Sequence, residues 1–163
     1  MRKLVVIVCS LVLCVSVSAA DDKISSQWKC DGKPSDEHSM AVGDHEGHAY
    51  VINQGKCASE KGAMGDAKEQ EGMWTQFLDS TGNKVKNHGV FVVTLAGGDK
   101  VFYNYHGTQT VKDGKVESGS NAWILTGGTG KFEGVKGEGA CKGKGNPDGS
   151  STWNCEGTYS MGK

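Results

Sequence analysis

The residues of this sequence best suited to chemistry fall into a few short groups. The densest is Asp44, His45, Glu46 and His48, with His38 shortly upstream. Imidazole nitrogens and carboxylates together suit Zn²⁺ or Cu²⁺. The run His45-Glu46-Gly47-His48 is not the helix-borne H-E-x-x-H of zinc hydrolases, because its histidines stand one residue too close and Gly47 disfavours helix. It reads as a polar loop, to which the sequence assigns no metal and no other cofactor. Glu71 enters the strand-like run Met73–Leu78. Inside an apolar lumen its carboxyl would hold its proton to higher pH; at a solvated strand end it would do nothing chemical. Last comes Gly127-Gly128-Thr129-Gly130-Lys131-Phe132-Glu133-Gly134. A phosphate loop would need G-x-G-x-x-G opening a helix, or a Lys followed by Ser or Thr. Position 133 is Glu and Lys131 precedes Phe132, so the string reads as a structural corner. Gly127, Gly128 and Gly130 are then expected at positive φ, where a side chain would clash, and Phe132 is expected to plug back into the core.

Cysteine usage sets the compartment. Met1-Arg2-Lys3, an apolar run from Leu4 to Val17 and Ser18-Ala19-Ala20 have the layout of a secretory signal peptide over residues 1–20. The apolar run is short of the roughly 20 residues that span a bilayer, and no later stretch could cross one. A periplasmic or extracellular protein is expected, with residues 21–163 as its single domain. That domain keeps Cys30, Cys57, Cys141 and Cys155. In an exported chain they imply two disulfides. Asn146-Pro147-Asp148-Gly149 is a turn sequence, and a hairpin centred on Asp148 sets Cys141 opposite Cys155. Cys30 then pairs with Cys57.

The elements that must hold these groups are strands. His48–Gln54, Met73–Leu78, Val90–Leu95, Val101–His106 and Ala122–Thr126 are short β-branched or aromatic runs separated by Gly, Asn and Asp turns. Lys56–Glu71 is the exception, a polar and helix-tolerant stretch read as a surface excursion. All 25 glycines lie beyond the leader, well above the average of about 7%, and many fall inside strands, where they permit sharp bends at barrel corners. Residues 21–163 carry a weak net negative charge, which argues against a nucleic-acid surface. The fold expected is all-β, a closed antiparallel barrel.

The segment Leu125-Thr126-Gly127-Gly128-Thr129-Gly130-Lys131-Phe132-Glu133-Gly134-Val135-Lys136-Gly137 resembles the Thr-Gly-Gly-Ser/Thr-Gly-x-Phe-Glu-Gly-x-x-Gly segment of allene oxide cyclases, and is similar to the Gly-Gly-Thr-Gly-x-Phe segment of dirigent proteins. Val42-Gly43-Asp44 leading into His48-Ala49-Tyr50 looks like the loop that opens their first long strand. The likeness extends loosely over residues 40–163 and is closest to secreted bacterial proteins carrying such a barrel. It implies an eight-stranded, calycin-like barrel with an apolar lumen, often trimeric. The acidic strand motif of the cyclases has no counterpart in Ser25–Asp44, so no catalytic residue carries over.

Function is then expected from the lumen. Trp28, Tyr50, Trp74, Phe91, Tyr103, Tyr105 and Trp123 lie in strand-like runs. Pockets for small molecules are mostly apolar with a few polar groups for orientation, so Tyr50, Trp74, Phe102, Tyr103, Tyr105, His106 and Trp123 are the candidate lining residues. Tyr103 with Tyr105, and Phe102 with Asn104 and His106, are alternative inner faces of one strand, and the sequence leaves that choice open. A binding barrel for a small hydrophobic molecule is the leading reading. An isomerase or cyclase acting on such a molecule, or a filled structural barrel, are the alternatives.

Overall fold

The computed structural model describes residues 21–162, and the leader expected over residues 1–20 lies outside them. Ten strands follow in order: β1 (Asp22–Cys30), β2 (Asp36–Ala41), β3 (His48–Lys61), β4 (Ala63–Met64), β5 (Ala67–Thr81), β6 (Lys84–Leu95), β7 (Lys100–Lys112), β8 (Lys115–Gly128), β9 (Lys136–Gly145) and β10 (Ser151–Ser160). Every pairing is antiparallel. β3 and β5 through β10 pair in sequence, β10 pairs with β1, and β1 returns to β3. Those eight strands close the barrel. β2 continues the line of β1 along the edge of β3, and β4 is a short appendage on β5. Closure removes most free edges, although β1 pairs with β3 only over Gln27–Cys30.

The two faces of each strand differ as a closed sheet requires. β9 and β10 alternate exposed outer positions with more buried inner ones along their length. Inner glycines make room for large rings. A Cβ on Gly139 or Gly157 would collide with the Trp123 indole, and one on Gly55 with that of Trp74. Eight strands enclose a lumen too narrow for large residues at every inner position, so Trp on one strand is matched by Gly on the next.

Both disulfides join neighbouring strands in the lumen wall. Cys141 faces Cys155 in the β9–β10 register and Cys30 faces Cys57 in the β1–β3 register, with Cα separations of 4.0 and 3.9 Å. The hairpin register centred on Asp148 is the one the turn sequence predicts. Within that turn Asp148 accepts bonds from the backbone N–H and the hydroxyl of Ser150.

One end of the barrel is plugged. The β8–β9 connection passes through a single 3₁₀ turn, Gly130–Phe132, which puts Phe132 and Val135 against the core. Met64, Val93, Leu95 and Val101 fill the same end and are fully buried. The corner is tied to the β6–β7 hairpin: Thr129 N–H donates to the Lys100 carbonyl, and Lys100 N–H donates to Thr129 Oγ1 at 2.8 Å. Gly127 and Gly130 have positive φ, +154° and +55°, but Gly128 does not. Its lack of a side chain serves close packing instead, since a Cβ there would lie 2.7 Å from the Lys100 carbonyl oxygen and 2.8 Å from Phe132 Cβ.

The stretch 56–71 is not a surface excursion. It forms the end of β3, all of β4 and the start of β5. Its buried apolar residues are Cys57 on β3, Met64 on β4 and Ala67 on β5; a few such positions suffice where the opposite face is solvated.

Candidate functional site

The lumen is not filled. It holds a cavity of about 350 Å³ that reaches from the plug to the opposite end, where the segments after β1, β7 and β9 contribute Pro34, Gly114 and Gly149 to its rim. Such a volume is on the scale of small-molecule sites, roughly 300–1,000 Å³.

Its middle is aromatic. Trp28 meets Phe91 edge to face at 5.1 Å between ring centroids, Phe91 lies 6.3 Å from Tyr103, and Tyr103 meets Trp123 edge to face at 5.3 Å. These rings come from β1, β6, β7 and β8, so the wall continues across the barrel. Trp74 and Trp153 extend it. Trp153 is held by a bond from its indole N–H to Ser151 Oγ, whereas the indole N–H of Trp123 is buried and has no partner among the described residues.

Toward the mouth the wall becomes polar. Tyr105 donates its hydroxyl proton to Gln76 Oε1 at 3.0 Å, Asn87 donates to the same oxygen at 3.2 Å, and Asn53 donates to Glu37 of β2 at 2.9 Å. The side-chain oxygens of Asn53, Asn87 and Asn121 are buried without partners among the described residues. Burial raises the hydroxyl pKa of both Tyr103 and Tyr105 well above the ordinary phenolic value, keeping both neutral.

Among the described residues that line the lumen, the buried acid is Glu69. It is 7% exposed, one carboxyl oxygen accepts the Ser26 hydroxyl at 2.9 Å, and the other has no partner. Burial pushes its pKa up to about 7, with the Ser26 hydrogen bond opposing the shift. Glu71, the carboxylate the sequence singles out, is exposed. Counted back from Trp74 it falls on the outer parity, and a register shift in the β5–β6 pairing between Glu69 and Glu71 restarts the alternation and turns Glu69 inward instead.

The strand faces decide the other candidates. Trp74, Tyr103, Tyr105 and Trp123 line the lumen. Tyr50, Phe102 and His106 are corrected to the outside: they fall on the opposite parity of β3 and β7, and Tyr50 is 41% exposed. The sequence carried a signal for β3. Cys57 must face its partner across the lumen wall, so Val51 and Asn53 share that face and Tyr50 does not. Asn53, Gln76, Asn87 and Asn121 were missed because amides inside strands look like solvent-facing positions. His88, Val90, Asn104, His106 and Ile124 line a shallow groove on the outer surface.

Asp44 and His45 lie in the β2–β3 connection, and His48 opens β3. His48 Nδ1 lies 2.6 Å from Asp44 Oδ1, His45 Nδ1 lies 3.1 Å from Asp44 Oδ2, and the two imidazoles stack at 4.6 Å. His48 Nε2 lies 3.1 Å from Asp79 Oδ1 on β5. The hydrogen bond to Asp44 raises the pKa of His48 and lowers that of Asp44. His38 stands apart, paired with Asp36 at 3.5 Å and largely exposed.

By fold and site, the chain is a closed eight-stranded β-barrel with a cavity in its lumen. No protein-family model matches it, and no curated protein does. Among solved structures it is similar to the pterocarpan synthase dirigent protein GePTS1, at 12% identity and a TM-score of 0.49, covering 94% of this chain and 98% of that one. It is also similar to the pterocarpan synthase dirigent protein PsPTS1, at 13% identity and a TM-score of 0.49, covering 88% of this chain and 97% of that one.

Proposed function

We propose that this protein is an exported binding barrel that takes up one small hydrophobic molecule bearing polar substituents. The observation that carries the reading is the cavity of about 350 Å³, which brings an aromatic wall together with buried polar atoms that lack partners. Buried polar groups are nearly always hydrogen-bonded. Here the unpartnered indole N–H and amide oxygens belong to residues that line the space, and a ligand with its own donors and acceptors would offer them partners, while its apolar body stacks on Trp28, Phe91, Tyr103 and Trp123. Two disulfides persist in oxidising compartments, which supports a periplasmic or extracellular location.

Native mass spectrometry of protein purified from its own source tests this reading. A retained small molecule at one per chain is expected, and its loss on denaturation. Protein that carries nothing, and shifts neither its tryptophan emission nor its melting temperature with fatty acids, terpenes, oxylipins or aromatic alcohols, would overturn it. The same spectra report whether the chain forms the trimer that the family resemblance implies.

Glu69 favours a second reading, an isomerase or cyclase. A buried carboxyl with a pKa near 7 can give or take a proton at neutral pH, and a shaped lumen can hold a substrate in one reactive conformation. Turnover of the bound molecule, abolished in Glu69→Gln with binding retained, would separate this reading from simple binding.

A further inference from the structure

The histidine group at the β2–β3 connection is remote in chemistry from the amide-lined mouth, and the lumen reading does not use it. We propose that Asp44, His45 and His48 bind one divalent transition-metal ion of the zinc or copper class, with Asp79 as the positioning partner of His48. One donor atom from each of the three residues lies within 4.8 Å of the other two. Asp44 already spans the pair, with one carboxyl oxygen toward each imidazole. In a tetrahedral site with ligand bonds of about 2.0–2.1 Å, donor atoms stand roughly 3.3 Å apart. The pairs at 2.6 and 3.1 Å therefore need to open by about 0.7 and about 0.2 Å when a metal replaces the shared protons.

The loop is built to keep these donors together. Gly43 and Gly47 adopt φ of +85° and +74°, turning the chain tightly between β2 and β3. Val42 N–H donates to the His48 carbonyl at 3.0 Å, and His45 N–H donates to Asp44 Oδ1 at 2.9 Å. The second ring nitrogen of His48 is the stronger indicator. Metal-bound imidazoles usually donate their other N–H to a carboxylate, which fixes tautomer and ring orientation. Asp79 comes from a different strand, β5, and lies 3.1 Å from His48 Nε2. The His48 side chain is only 10% exposed, whereas His45 is half exposed, so one ligand is anchored in the wall and the other is free to adjust. Two nitrogens and a carboxylate oxygen suit zinc and copper over calcium or magnesium. The remaining position faces solvent and would hold water.

Calorimetric titration of the disulfide-intact protein with Zn²⁺ and with Cu²⁺ tests the proposal. One ion per chain is expected at micromolar affinity or tighter, and the Cu²⁺ complex should show imidazole nitrogen coupling by electron paramagnetic resonance. His45→Ala and His48→Ala should each weaken binding at least ~10-fold, and Asp79→Asn should weaken it by roughly 10–100-fold. His38→Ala should leave it unchanged, and circular dichroism would establish that each variant folds. Millimolar affinity in the wild type, undiminished binding in the His45→Ala/His48→Ala double variant, or loss of binding in His38→Ala would overturn it.

Discussion

The two ends of the lumen are made by the same strands and have opposite chemistry. At the plugged end, Phe132, Val135, Met64, Leu95 and Val101 interlock with almost no exposed surface. At the mouth, Asn53, Gln76, Asn87 and Asn121 surround open space and leave polar atoms unpaired. Close packing is concentrated at one end, and the unpaired polar atoms on which the proposed binding rests at the other. Glu69 stands on the plug side beside Ser26 and next to the half-buried Gly62, a titratable group embedded in the part that holds the barrel shut.

If that division holds, the largest effect should come from the plug. Phe132→Ala removes a fully buried ring from the corner and should cost about 3–5 kcal/mol, read from denaturant unfolding. A loss below about 1 kcal/mol would mean that the plug is not a stabilising element.

Next is the hairpin that forms part of the wall. Cys141→Ser with Cys155→Ser opens a cross-link of sequence separation 14, for which chain entropy gives about 3 kcal/mol. The effect should appear as a lower melting temperature with the far-ultraviolet dichroism of the native sheet retained below it.

A smaller and pH-dependent effect should belong to Glu69. Its folded-state pKa, about 7, lies above the ordinary value of 4.5, so the folded state holds this proton more tightly than the unfolded chain. Its contribution is intact below pH 4.5 and is lost as pH rises toward 7. Glu69→Gln should therefore be more stable than wild type at pH 8, on the order of 2–3 kcal/mol, and the advantage should vanish near pH 4. An advantage that did not change with pH would show that folding does not raise the pKa of Glu69.

The smallest effect should come from the mouth. Leu78 borders the cavity and lacks neighbours on one side, so Leu78→Ala should cost about 1 kcal/mol or less. A loss as large as that of Phe132→Ala would erase the contrast between the ends.

Much of this architecture is legible in the residues. Asn146-Pro147-Asp148-Gly149 sets the β9–β10 register, and through it the pairing of Cys141 with Cys155 and of Cys30 with Cys57. The turn dipeptides mark the hairpins, and the glycine string marks the corner. The faces of β7 are not legible, because Phe102 and Tyr103 are both aromatic and only the barrel's closure decides which turns inward. Glu69 is hidden by the irregular pairing between Glu69 and Glu71, which no residue type announces. Glycines opposite tryptophans, such as Gly139 and Gly157 against Trp123, are legible only after the register is known.

The most direct test of a lumen that takes up hydrophobic molecules is a fluorescence titration with N-phenyl-1-naphthylamine, whose emission rises in apolar surroundings. The account predicts saturable uptake of one probe per chain. Leu78→Trp, which places an indole in the mouth, should weaken it at least ~10-fold, because a filled site excludes the probe. Ile52→Trp, on the exposed outer face of the neighbouring strand, should leave it unchanged. Absence of saturable uptake, or equal binding in wild type and Leu78→Trp, would contradict the account.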